Sequence, residues 1–240
     1  MDVGARIIIW FDEGPLEGFY ITETAIWAVL VSVAIIIFAV MSARKLQRYP
    51  KGIQGVAELI VETVYNFVKN NMGKTQTAFA PFIGTLFLYL LVSNTLGLIG
   101  IRAVTADMNT TFALGGLVFL VIQGSSIRSR GVIGYMKHFA EPYPFMIPLN
   151  ILEEVSFPIT LSFRLFGNIL AGVVVIELVF NGLEYLSMSI LNLPIPLLQA
   201  VLPLPFNAFF DMFESVLQAF VFSMLTMAFI AKAVTTHEDH

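Results

Sequence analysis

Arg164 is the residue whose type and position carry the clearest chemical consequence. It lies within Ile159-Thr160-Leu161-Ser162-Phe163-Arg164-Leu165-Phe166-Gly167-Asn168, far from either end of a long apolar stretch. An Arg held at mid-bilayer costs about 2.5–3.5 kcal/mol on insertion scales. Guanidinium cannot escape by losing its proton, because in proteins it stays protonated. It therefore needs an anion, hydrogen-bond acceptors or water. Two uses meet that need: a structural ion pair inside a helix bundle, or a fixed cation beside an ion path. At about 100° per residue, Glu153, Phe157, Thr160, Asn168, Ala171 and Val175 fall within about 40° of Arg164, with Gly167 and Gly172 flanking. Beyond the Arg this face is small or mildly polar, so another helix can come close. Either a helix of the same chain packs there, or a partner surface slides past. Pro158 is a candidate break between Glu153 and the Arg.

A second polar group lies in Phe209-Phe210-Asp211-Met212-Phe213-Glu214-Ser215-Val216-Leu217-Gln218-Ala219-Phe220. Asp211, Glu214 and Gln218 share a helical face, because offsets of −7 and −4 correspond to about 20° and 40°. Two carboxyls and an amide in an apolar segment are costly unless they meet water or each other. Glu177 adds a further carboxyl about 220° round its helix from Arg164. It either pairs with a structural partner or joins a file of carboxyls able to relay a proton or cation through a wet cleft.

The elements that must hold these groups follow from composition. The chain has 240 residues, 57% hydrophobic and only 12% charged, with 22 Phe. Soluble domains carry about 25% charged residues, so the chain reads as an all-α integral membrane protein. At about 20 residues per crossing there is room for five or six helices. Apolar runs place spans at about Ala25–Ser42, Phe79–Ile101, Phe112–Ile127, Met146–Phe180 and Ile190–Val234. The polar turn Asn181-Gly182-Leu183-Glu184 divides the last two, and a basic loop holding Arg128, Arg130, Lys137 and His138 follows the third. Gly52–Met72 is different: Ile53, Val56, Ile60, Val64 and Phe67 recur at helical spacing opposite Glu58, Glu62 and Lys69, the pattern of an amphipathic helix on the membrane or against another span.

The whole forms one multi-pass unit. Residues 1–24 make an acidic segment that is no signal peptide, 25–145 supply supporting helices, and 146–240 carry the intramembrane charges. With the N-terminus outside and five crossings, ten cations (Arg44, Lys45, Arg48, Lys51, Lys69, Lys74, Arg128, Arg130, Lys137, Lys232) lie inside and two (Arg6, Arg102) outside. That bias sets the orientation. Absence of Cys excludes disulfides, iron–sulfur clusters and Cys-ligated metal. The three His lie outside the apolar runs, against a haem within the membrane, and the net charge of −4 offers no nucleic-acid partner. No cofactor or metal is expected.

These motifs resemble those of a known family. Ser162-Phe163-Arg164-Leu165-Phe166-Gly167-Asn168, followed by Ala171-Gly172, is similar to the signature of subunit a of the F-type rotary ATP synthases. Leu217-Gln218-Ala219-Phe220-Val221-Phe222 fits the same family's last helix. Weaker matches are Asn94–Leu98, Thr105–Thr111 and Phe145–Glu154, so the likeness runs in order from about residue 85 to 230. It implies a membrane stator beside a ring of c subunits, each bearing a mid-membrane carboxylate. Two offset half-channels would carry H⁺ or Na⁺ to and from that carboxylate.

The last two helices would lie strongly tilted against the ring, and a b-subunit peripheral stalk and the lipid bilayer would complete the surroundings. The family's essential arginine maps onto Arg164, its polar neighbour onto Asn168 and its glutamine onto Gln218. Nine residues after the arginine, where many members carry Glu or His, stands Val173. Seven residues before the glutamine stands Asp211. The relay is accordingly expected on Glu177, Asp211 and Glu214, with Glu153 also on the Arg164 face. A stand-alone secondary transporter using Arg164 as an anionic-substrate site is the alternative. Such proteins often carry internal repeats, whereas the intramembrane charges here gather in the C-terminal half. A bacterial plasma membrane is expected, because no transit peptide is evident.

Overall fold

The computed structural model describes residues 7–10, 20–44, 47–99, 101, 103–140, 143–190 and 203–234. Six α-helices carry most of the described residues: α1 (Glu23–Ala43), α2 (Ile53–Met72), α3 (Ala80–Thr95), α4 (Met108–His138), α5 (Ile147–Tyr185) and α6 (Pro203–Val234). Among the described residues five helical segments are long and apolar enough to cross a membrane: Glu23–Ala43, Lys74–Ile99, Met108–Lys137, Pro144–Met188 and Met212–Val234. The chain is therefore an all-α integral membrane protein, preceded by a small antiparallel ribbon of β1 (Ile7–Trp10) and β2 (Tyr20–Thr22).

β2 runs directly into α1. Thr22 caps that helix through its Oγ1, 3.2 Å from Ala25 N, and Glu23 in the first turn complements the helix dipole. Thr24 Oγ1 donates to Asp107 Oδ2 at 2.6 Å. The same Asp107 caps α4 by accepting from Asn109 N at 3.0 Å. One nearly buried carboxylate thus starts α4 and clasps α1 across 83 residues. Beside it the buried Thr105 hydroxyl donates to Asn94 Oδ1 of α3.

α6 is the pivot of the bundle. Ser215, Gln218, Ala219, Phe222, Ser223, Thr226, Met227 and Ile230 are buried at spacings of three and four, a continuous stripe on one face. That stripe meets Ile83, Leu86 and Leu90 of α3, Val118 and Ile122 of α4, and Phe157, Leu161 and Leu165 of α5 in one apolar core. The opposite faces of α5 and α6 are exposed and apolar, with Val174, Val175 and Leu178 on the former and Phe213, Val216 and Leu217 on the latter.

Three expectations from the sequence are corrected. The basic stretch after Ile127 is no loop: α4 continues to His138, broken only at Gly131, whose φ of 69° takes the left-handed region that glycine tolerates. Arg and Lys are good helix formers. The stretch is tied down by Arg130 Nη2 and Ser129 Oγ donating to the carbonyls of Lys232 and Val234, each at 3.0 Å. Likewise Asn181-Gly182-Leu183-Glu184 does not divide the last two helices. α5 runs through it to Tyr185 and a π-turn, Leu186–Ile190, because one Gly costs only about 1 kcal/mol in a helix. Nor does Pro158 break α5; it is accommodated inside the helix.

The amphipathic face of α2 packs as expected over its second half, where Val64 and Phe67 meet the core, while its first turn is exposed. Ile53 and Val56 are exposed, whereas Gln54, Val68 and Met72 are buried. Gln54 is drawn in because its amide bonds both the N–H and the carbonyl of Gln47, each at 3.0 Å, and Glu58 at 2.7 Å. Phe67 packs on Phe220 of α6 with ring centroids 5.4 Å apart.

Candidate functional site

α5 has 39 residues, about 58 Å at 1.5 Å per residue. This is nearly twice the hydrocarbon thickness of about 30 Å, so the helix cannot stand upright within one bilayer. Three contacts fix how α6 returns beside it. Glu153 Oε1 meets Lys232 Nζ at 2.7 Å, the rings of Phe157 and Phe229 stack at 3.6 Å, and Glu214 Oε2 lies 3.2 Å from where a Cβ on Gly172 would stand. Each step forward on α5 is matched by a nearly equal step back on α6, so the pair is antiparallel with a constant register. In that register Asn168 is level with Gln218, and Arg164 with Phe222.

Arg164 is half-buried, between the buried Leu161 and Leu165. Among the described residues no side chain gives its guanidinium an ion pair or a hydrogen bond. Asn168 and Ala171 are exposed one and two turns further on, Gln218 is buried, and Glu214 is half-buried. Gly172 gives the Glu214 carboxylate room: with no side chain there, its oxygen can lie against the α5 backbone. The structure thus gathers Arg164, Asn168, Glu214 and Gln218 along the α5–α6 seam. Glu177 is exposed on another side of α5 and is not brought into this group. Asp211 lies on the α6 backbone level with Val175, and its side chain, like that of Val173, lies outside the described residues.

Glu153 occupies a second polar place, about 16 Å along α5 from Arg164 at 1.5 Å per residue. Its pair with Lys232 borders a cavity of about 130 Å³ lined by Ser126, Asn150, Glu154 and Phe157 among others. Gln123 Nε2 donates to Glu154 Oε1 at 2.8 Å, and Tyr135 donates to Gln123 Oε1 at 2.7 Å. Sequence reasoning passed over Gln123, Tyr135 and Glu154. The signal available was an amide in the middle of the third apolar run and a second acid beside Glu153. Their meeting depends on the break at Gly131, which lets the end of α4 fold back.

A polytopic helical protein with a cation at the middle of its longest apolar helix, and amides and acids beside it, belongs among the membrane ion carriers. Residues 25–231 match the family described as ATP synthase A chain. ATP synthase subunit a of Moorella thermoacetica is 33% identical over 228 residues, spanning 95% of this chain and 96% of that protein. The chloroplastic ATP synthase subunit a of Stigeoclonium helveticum is 36% identical over 226 residues, spanning 89% and 83%. The chain belongs to the family of ATP synthase subunit a, and so is a multi-pass membrane component of an ion-transporting ATP synthase.

Proposed function

We propose that the chain is the ion-conducting stator of a rotary ATP synthase, carrying H⁺ or Na⁺ to and from rotor carboxylates without catalysis of its own. The observation that carries this reading is Arg164: a permanent cation at mid-span with no counter-anion among the described residues, at the edge of a helix whose outer face is exposed. A rotor carboxyl facing lipid is neutral, by protonation or by holding a cation, because a bare charge there is very costly. When rotation brings it to Arg164, the opposite charge stabilises the carboxylate and releases the ion. At ~4 Å and an effective dielectric constant of about 20 that attraction is about 4 kcal/mol, nearly three pKa units. The same charge repels ions and keeps the two half-channels from joining. A potential of ~100 mV supplies ~2.3 kcal/mol per charge to bias the direction.

Asn168 and Gln218 flank the Arg as neutral hydrogen-bonding groups. Glu214, with Asp211 and Glu177 further out, forms the relay on the outer side. Glu153 stands at the mouth of the inner half-channel, beside the polar cavity. The c ring rides on the exposed faces of α5 and α6, and the b stalk joins the rest of the complex to this chain. The N-terminus is outside, the C-terminus cytoplasmic, and the membrane a bacterial plasma membrane. Vesicles carrying the whole complex with Arg164→Ala should make no ATP under an imposed ion gradient, while the head still hydrolyses ATP. Synthesis at the parental rate would overturn the reading.

A further inference from the structure

We infer that Gly115 of α4 is a positioning residue that sets how far Arg164 projects from the bundle. The inference rests on the reading of Arg164 as the charge presented to the rotor. A Cβ built on Gly115 would stand 2.8 Å from the carbonyl oxygen of Pro158 and collide with the Oγ of Ser162, two atoms of α5. The fit is mutual, because Ser162 is buried in this recess. Its hydroxyl lies 2.8 Å from Pro158 O on its own helix and 3.1 Å from Thr111 O on α4, one turn before Gly115. On the same stretch Phe112 of α4 meets Phe163 of α5 edge to face at 5.5 Å. Three consecutive contacts of α4 therefore grip residues 158–163, the segment that ends at Arg164.

The grip acts from behind. Ser162 and Arg164 are two residues apart, about 200° round the helix, so the α4 contact lies almost opposite the guanidinium. The Ser162 hydroxyl could rotate away from an added methyl group; the Pro158 carbonyl belongs to the backbone and cannot. To restore an ordinary contact the α5 backbone would retreat by about 0.6 Å, since packed interiors transmit such strain rather than absorb it. The retreat pushes Arg164 outward. A cation brought from ~4 Å to about 3.4 Å of a rotor carboxylate, at an effective dielectric constant of about 20, favours ion release by roughly half a log unit. Gly116, the next residue, has nothing within 4 Å of its Cβ position, so the same substitution there leaves α5 where it is.

The test uses the whole ATP synthase in inverted vesicles, with ATP-driven ion uptake measured against pH and, separately, against Na⁺. With Gly115→Ala the midpoint is expected to move by about half a log unit, toward lower pH or higher Na⁺. Gly116→Ala should keep the parental midpoint. An assembled Gly115→Ala complex with the parental midpoint would overturn the inference, as would an equal shift in Gly116→Ala. If Gly115→Ala fails to assemble, Ser162→Ala decides: losing the hydroxyl that ties α5 to Thr111 O lets α5 move away from α4, and its midpoint should move the same way. A parental midpoint there also overturns it. Arg164→Ala separates the two readings. If that variant still makes ATP from an ion gradient, the stator reading itself fails; if it does not, an unmoved Gly115→Ala midpoint condemns only the positioning role.

Discussion

Replacing Arg164 by Ala should separate stability from function. Were the guanidinium half of a buried ion pair, its removal would strand an acid and cost about 3–5 kcal/mol. The structure gives it no such partner among the described residues. Its removal then relieves an insertion cost of about 2.5–3.5 kcal/mol, against roughly 1 kcal/mol of lost burial of the half-buried aliphatic stem. The Ala variant should be more stable than the parent, by about 1.5–2.5 kcal/mol. This can be read as the unfolding temperature of the detergent-solubilised subunit freed of its rotor, where no carboxylate faces the Arg. Ion-driven synthesis should nonetheless vanish, because nearly three orders of magnitude in ion release are lost with the ~4 kcal/mol of attraction. Lys at the same place should restore little, since it can deprotonate when desolvated. A loss of about 3 kcal/mol or more in the Ala variant, the range of a broken buried pair, would show the Arg to be structural and refute the reasoning.

Three further outcomes follow from other parts of the molecule. Asp211→Asn and Glu177→Gln should each slow ion uptake from the outside; driven synthesis equal to the parent at every pH in both variants would remove them from the relay. Glu153→Gln should change thermal stability by less than about 1 kcal/mol, because the Glu153–Lys232 pair is 60% exposed on both sides and exposed pairs contribute little. A larger drop on heating would mark the pair as a structural clasp. Asp107→Ala should destabilise the subunit by about 1–3 kcal/mol, from a lost helix cap and a lost hydrogen bond from Thr24, whose hydroxyl keeps Thr22 Oγ1 2.9 Å away. Proteolysis or thermal release would reveal it, and an unchanged midpoint would show that the α1–α4 clasp contributes nothing to stability.

Sequence alone determined the class of the protein and singled out one intramembrane cation. A fully charged group inside an apolar run is costly wherever the run folds, so Arg164 stands out from its neighbours in the chain by itself. The spans were legible for the same reason: lipid requires each crossing helix to satisfy its own backbone and to be apolar along its whole length. Such signals are local in the chain. Helix ends were less legible, because tertiary hydrogen bonds from Arg130 and Ser129 to the end of α6 hold α4 helical where composition suggested a loop. The burial of Gln54 likewise follows from the Gln47 backbone it happens to meet.

Only the tertiary structure decided which distant residues meet. Glu153 faces the same way as Arg164 on an ideal helix, yet its near neighbour is Lys232, 79 residues away. Glu214 finds space because Gly172 stands opposite, and Asn168 comes level with Gln218 because three contacts lock the α5–α6 register. Gly115 reads as an ordinary helix residue until Pro158 and Ser162 are seen against it. Register and close approach depend on the summed packing of both helices, and helical periodicity along one chain segment holds no information about its partner.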